Sequence, residues 1–401
     1  MARFLNVVPV DEAVAAAVGL ARPVGTETVP LEEASGRVLG ADARAETDLP
    51  GFRRSTVDGY AVRAAETVGA SEALPSLFRL KGRVAMGAGA SFALAPGECA
   101  YVPTGGEVPE GADAVAMVEH AEAEGEEVLI GKPVANGENL VLPDEDFAAG
   151  EVAVPAGRRL SPQEVGALAA IGRAGVEVRR RPVVGVVSTG NEVVPVDAVP
   201  GRSEVRDVNS YLCRAFCSER GCETRFYGIV RDEPGALRAV LERAAGECDA
   251  VLVSGGSSKD ERDLGAQTIA ELGEVLVHGI ALAPGKPTII GRVGEIPAIG
   301  LPGHPASAFV VLLVVAGPTL AALSGDRTDR SRRVRARLAE NVPSARGRED
   351  YVRVTVRDGM ARPVFAKSGL LNSLVRADGL LRVPAGREGF ETGDEVEVLL
   401  W

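Results

Sequence analysis

Residues 183–192 read VVGVVSTGNE, residues 250–263 AVLVSGGSSKDERD and residues 296–305 IPAIGLPGHP. Each is an apolar run that ends in a loop of small residues. Unbroken Val, Ile and Leu, without alternation of polar and apolar positions, is the pattern of a strand covered on both faces, as in a parallel sheet. Helix candidates SYLCRAFCSERG (210–221) and EPGALRAVLERAAGE (233–247) separate apolar runs at 183–188, 225–230, 250–254 and 296–301, so the spacing predicts βαβ units. In such sheets ligands bind beyond the carboxyl ends of the strands, where all three loops fall. Glycine in these turns leaves backbone N–H groups facing an approaching anion, which predicts a phosphate-handling edge. Glu192, Asp260 and Asp263 stand in or just beyond the loops, and Asp232 and Glu233 occupy a further turn. Their carboxylates suit a hard divalent cation held against phosphates.

Outward from this centre the texture changes. Residues 11–22, DEAVAAAVGLAR, predict a helix with acid at its start and Arg at its end. Residues 40–150 alternate short Val-rich runs with Gly, Pro and Glu, the pattern of a β-rich module with exposed turns. Ser161-Pro162-Gln163-Glu164 reads as a capping box that opens a helix. The last ~75 residues alternate apolar and polar positions between Gly-containing turns, predicting a small β-barrel or sandwich. The longest apolar stretch, 306–323, contains Gly317-Pro318 and follows the LPGHP loop directly, so it reads as a buried helix under the sheet rather than a membrane span. The fold class expected is multidomain α/β plus β: a central doubly wound, mostly parallel α/β domain, a β-rich second domain and a small C-terminal barrel.

The 401 residues suffice for roughly two to four domains at about 100–200 residues each. A formal net charge of −12 argues against a general nucleic-acid or anionic-membrane binder, since both require a basic face. The five cysteines, Cys99, Cys213, Cys217, Cys222 and Cys248, show no framework spacing and predict buried thiols in a reducing compartment. The N-terminus, MARFLNVVPVDEAV, has no basic segment followed by an apolar core, so a cytoplasmic location is expected.

Several further motifs are ambiguous by themselves. FRRSTVDGYA (52–61) presents Asp58 beside two arginines and a hydroxyl, or is a common Asp-Gly turn. Val102-Pro103-Thr104-Gly105-Gly106 is either an anion cradle or a hairpin. Pro284-Gly285-Lys286-Pro287 sets one Lys on a rigid turn, suited to an oxyanion or simply solvated. Neither a Walker loop nor GxGxxG occurs, so nucleotide hydrolysis of the P-loop type is not supported. No GxSxG elbow is present, and the three histidines have no metal-ligand spacing.

Taken in order, STVDGYA (55–61), PTGGEVPEGADAV (103–115), STGNE (188–192), SGGSS…D (254–263), PGKP (284–287) and LPGHPASA (301–308) resemble the molybdopterin molybdenumtransferases of molybdenum-cofactor synthesis, relatives of the gephyrin E domain. The resemblance runs through nearly the whole chain. It implies four domains: residues 1–43 with 148–180, residues 44–147, an α/β molybdopterin-binding domain at 181–326 and a barrel at 327–401. It also implies a homodimer whose cleft is shared between subunits, with a molybdopterin adenylyltransferase as the partner one step earlier. The implied reaction takes adenylylated molybdopterin and molybdate, with Mg²⁺, and releases AMP. Asp58, Thr104, Glu192, Asp232 and Asp263 then carry catalysis. Ser188, Thr189, Gly190, Ser254, Gly255, Gly256, Ser257, Lys286, Pro302 and Pro305 contact substrate, and Asp146, Glu192, Asp232 and Asp263 hold the metal. The C-terminal segment adds Arg348, Arg353, Ser368 and Ser373 as substrate contacts.

The chain departs from that pattern in its basic residues. Gly279, Ala283 and Val141 stand where better-known members carry two lysines and an arginine, and the LPGNP loop is LPGHP. Lys259 or Arg262 would have to replace the lost charge. Two rival expectations follow: a tungstate-preferring relative, and a pterin carrier or scaffold without turnover. The adenylyltransferase itself is a third rival, but it is normally a single domain and leaves the ~180 residues before Arg181 unexplained.

Overall fold

The computed structural model describes residues 7–255, 264–329 and 331–401. Two compact units share the chain: residues 42–155 with 162–174, and residues 1–41 with 156–161 and 175–401.

The larger unit is built on a six-stranded sheet. Its spatial order is Glu223–Val230, Val183–Thr189, Ala250–Ser254, Ile296–Leu301, Ile289–Val293 and Gly273–His278. The first four strands pair in parallel. Ile289–Val293 runs antiparallel to both neighbours, so one strand departs from an otherwise parallel sheet. The sequence reading found the four parallel strands to within two residues. It missed Gly273–His278 and Ile289–Val293, the pair at one edge. The central strands are buried almost throughout, Ala250–Ser254 at all five positions, because helices cover both faces.

One face carries Val10–Leu20, Asn209–Glu219 and the long apolar helix, whose buried Val, Leu and Ala side chains join the strands in one cluster. Pro234–Glu247 and Leu264–Leu272 cover the other face. The apolar helix spans Pro305–Ser324, long and apolar enough to cross a membrane, but 61 % of its apolar window is buried in this core. Gly317 and Pro318 do not end it. Around them the backbone widens into a π-turn at Leu312–Ala316, where the Gly317 N–H reaches back five residues to Leu312 O. Pro318 has no N–H to give to the preceding turn, and the π-turn absorbs that gap.

Residues Arg332–Leu338, Glu349–Arg357, Met360–Pro363, Gly379–Val383 and Glu395–Leu400 pair around a closed circuit, Glu349–Arg357 bonding both Met360–Pro363 and Gly379–Val383. The C-terminal segment is therefore a five-stranded barrel with its own core around Leu338, Val354, Val383 and Val398. Closure removes the sheet edges that an open sandwich leaves.

The smaller unit is a six-stranded sheet ordered Ala114–Met117, Gly59–Val62, Glu98–Val102, Ser76–Arg83, Glu127–Ile130 and Ala121–Glu124. It fits the β-rich reading of residues 40–150. Apolar residues on its two faces form separate clusters around Val102 and Phe78. All five cysteines are buried thiols.

Candidate active site

Register brings the separate loops to one level. Ser188 lies beside Ser254, Ser254 beside Leu301, and Thr189 beside Val230 across the parallel sheet. The turns that follow these residues therefore leave the sheet at the same edge. The strand order reverses direction at Val183–Thr189, which puts the edge at a topological switch point. A cleft of about 1370 Å³ opens there, lined by Ser188, Thr189, Ser254, Gly255, Lys286, Pro302 and Pro305 among the expected substrate contacts and by Glu192 of the expected catalytic and metal-holding set.

Glycine makes the turns possible. Gly255 has φ of 94°, and a Cβ there would collide with the Thr189 carbonyl oxygen; its N–H instead bonds Leu301 O at 3.3 Å. Gly190, at φ 136°, lets the chain double back so that its N–H bonds Val230 O at 3.3 Å. Asp232 is not among the cleft-lining residues, but its N–H donates to Asn191 Oδ1 at 3.3 Å, tying its turn to that of Glu192. Both carboxylates are exposed.

Beneath the cleft lies a polar layer that sequence reasoning missed. Ser188 Oγ donates to Asp207 Oδ2 at 2.8 Å, and Asp207 Oδ1 accepts the Ser210 N–H at 3.1 Å. Asp207 thus caps helix Asn209–Glu219 from two residues upstream. Asn209 Nδ2 donates to Ser254 Oγ at 2.8 Å and to Gly303 O at 2.9 Å, linking the ends of two strands to the helix start. The Asp207-Val208-Asn209-Ser210 run, an Asp followed by a helical pattern, was the available signal.

The barrel supplies the other wall. Arg346, Arg348, Ser368, Gly369 and Leu371 reach the cleft. His304 Nδ1 and Ser368 Oγ are 2.9 Å apart, and the Ala306 N–H donates to Ser368 O at 3.1 Å. Arg348 pairs with Asp350 at 3.1 Å, and Lys286 projects exposed with no ion pair among the described residues. Two C-terminal expectations are corrected. Arg353 is 7 % exposed on the outer side of its barrel strand, opposite the Val352, Val354 and Val356 side chains that fill the barrel, and it donates to Ala366 O; Ser373 Oγ donates to Leu370 O, and neither is among the residues lining the cleft.

In the smaller unit, Thr104 donates twice to one oxygen of Asp58, from N–H at 2.7 Å and from Oγ at 3.0 Å. These bonds, the backbone one foremost, hold the Asp58 carboxyl below its ordinary value. Asp146 is exposed in the same unit. Gly256, Ser257, Lys259, Asp260, Arg262 and Asp263 lie outside the described residues. Among the described residues no three His, Cys, Asp or Glu side chains gather into a metal site.

A doubly wound sheet whose glycine turns, hydroxyls and four cationic side chains, Arg206, Lys286, Arg346 and Arg348, surround one large cleft defines an α/β protein with a cleft suited to an anionic ligand. The matching family models name it more closely: the MoeA N-terminal region (domain I and II) over residues 8–172, a probable molybdopterin binding domain over 185–322 and the MoeA C-terminal region (domain IV) over 335–401. A molybdopterin molybdenumtransferase of Bacillus subtilis is 31 % identical over 98 % of this chain and 94 % of its own, and one from Mycobacterium tuberculosis is 30 % identical over 96 % of each. A solved molybdopterin biosynthesis protein of Pyrococcus horikoshii superposes with a TM-score of 0.87 at 32 % identity, covering 99 % of this chain and 100 % of that one. The chain belongs to the MoeA family of molybdopterin molybdenumtransferases.

Proposed function

We propose that this protein inserts molybdate into adenylylated molybdopterin and releases AMP. The observation that carries the reading is the alignment of four strand-end turns at one edge, where Ser254, Gly255, Lys286 and Glu192 line a cleft of about 1370 Å³. A cleft of that volume accommodates a pterin joined to a nucleotide through phosphates, and its N–H, hydroxyl and cationic groups suit the anionic linkage.

The donor chemistry fits magnesium, which takes oxygen ligands and is commonly held by one or two carboxylates together with substrate phosphates. Glu192 and Asp232, on turns joined through Asn191, would hold it, with Asp263 and Asp146 as the remaining members of the proposed set. When bound, the cation neutralises charge on the phosphate oxygens. The chain's own part is to orient that linkage. Lys286, Arg346 and Arg348 offer charge to molybdate or phosphate, which answers in part the missing basic groups at Gly279 and Ala283. A homodimer with a shared cleft, supplied by a molybdopterin adenylyltransferase in the cytoplasm, completes the proposal.

The test is AMP release from adenylylated molybdopterin with molybdate and magnesium. Glu192→Gln and Asp232→Asn should each lower the rate by about 100-fold or more while unfolding like the parent. A parent protein that binds the nucleotide without releasing AMP would instead be a carrier, and faster release with tungstate would change the preferred oxyanion.

A further inference from the structure

Two serines stand side by side at the floor of the cleft, yet their protons are disposed differently. Ser188 has committed its hydroxyl proton to the Asp207 carboxylate at 2.8 Å. Ser254 is only 4 % exposed, and its Oγ accepts from Asn209 Nδ2 at 2.8 Å. The orientation of the Asn209 amide is fixed, because the same NH₂ group also faces the carbonyl oxygens of Gly303 at 2.9 Å and Pro302 at 3.5 Å, which accept only. An amide turned the other way would set oxygen against oxygen. Asn209 Oδ1 consequently has no partner among the described residues although the residue is 7 % exposed, and it belongs to a side chain lining the cleft.

We infer that Asn209 is a positioning residue that makes Ser254 a hydrogen-bond donor to an anionic oxygen of the ligand, leaving Ser188 on the cleft side as an acceptor. The physical reason is directional. A hydroxyl that already accepts from an amide keeps its single proton for another acceptor, and a phosphate or molybdate oxygen is the acceptor the cleft invites. The unpartnered Asn209 Oδ1 offers a complementary acceptor to a ligand N–H beside that oxygen. The inference rests on the proposed function for the identity of the ligand, while the donor assignment itself requires only that an anion bind.

The experiment uses the full chain and measures AMP binding by calorimetry alongside AMP release from adenylylated molybdopterin. Ser254→Ala removes the donor with little change of volume and should weaken AMP binding roughly 10- to 100-fold. Asn209→Asp keeps the shape but places a carboxylate where an amide donated, so the Ser254 proton turns inward to it and affinity should fall by a similar factor at neutral pH. Its loss relative to the parent should shrink as pH falls, when the buried carboxyl regains a proton to donate. The new carboxylate also faces Gly303 O and Pro302 O, so urea unfolding is followed at each pH: a purely structural role would lower the unfolding midpoint in step with affinity, whereas the donor role weakens binding by more than any shift in the midpoint accounts for. The double variant should be no weaker than Ser254→Ala alone. Parent-like affinity in Asn209→Asp, additive losses, or a loss equal at every pH would overturn the assignment, as would a parent chain that binds no AMP at millimolar concentration. Binding with these variant effects but without AMP release would remove the transferase reading and leave the donor assignment standing.

Discussion

The carboxylate of Asp207 joins the end of a strand to the start of a helix: one oxygen accepts the Ser188 hydroxyl at 2.8 Å and the other the Ser210 N–H at 3.1 Å. Asp207 is 5 % exposed and Ser188 2 %, so water cannot readily replace either bond. Asp207→Ala should therefore lower unfolding free energy by about 1–3 kcal/mol, since it leaves buried donors without acceptors. Urea unfolding of the two proteins measures the difference.

Asp58 titrates below its ordinary 3.8 because the Thr104 N–H and, secondarily, its hydroxyl favour the charged carboxylate. Thr104→Val keeps the backbone donor and removes the hydroxyl. The Asp58 carboxyl should then titrate higher, while remaining below its unperturbed position, in a carbon-13 NMR titration. A value unchanged by the substitution would show that the hydroxyl bond does not form in solution.

Acid stability should have an identifiable source in Glu98. The Ala95 N–H, then Arg79 and Lys81, lower its carboxyl from 4.5 to about 2. A depressed folded pKa means that the unfolded chain takes up the proton first. The stabilisation is fully present well above 4.5 and is lost as pH falls from there through about 2. Glu98→Gln should flatten that part of the melting temperature against pH curve and leave its slope above pH 6 unchanged.

Gly255 and Gly190 both adopt positive φ beside the cleft, but alanine should be tolerated unequally. At Gly255 the added methyl meets the backbone oxygen of Thr189, whereas at Gly190 it lies 2.7 Å from Glu192 Oε2, the end of a flexible side chain. Gly255→Ala should cost at least about 1–3 kcal/mol and distort the strand-end turn. Gly190→Ala should unfold closer to the parent while displacing Glu192. Chemical denaturation ranks the pair, and equal costs would contradict this geometry.

Much of the α/β core was legible because its signal is local. The runs 183–188, 225–230, 250–254 and 296–301 are apolar wherever the chain must be covered on both sides, and each becomes a parallel strand. Gly273–His278 and Ile289–Val293 escaped notice because the outer strand, exposed at three of its six positions, carries only a three-residue apolar run, Val275-Leu276-Val277, and the two pair antiparallel at the border. The substrate loops were also legible from glycine and hydroxyl residues, whereas Arg353 and Ser373 were misplaced because only the folded chain covers the outer side of the Arg353 strand and turns the Ser373 hydroxyl, on the short helix Asn372–Arg376, back to Leu370 O.

By itself the sequence determined which segments are buried strands, which turns need glycine, and which family motifs occur in what order, since these depend on neighbours along the chain. Only the tertiary structure decided that Ser188, Ser254 and Leu301 stand in register, that Asp207 takes the proton of one serine, and that Asn209 leaves the other free. Those relationships join residues 19 and 45 positions apart through hydrogen bonds whose direction depends on every acceptor within reach, and that information exists only once the chain is folded.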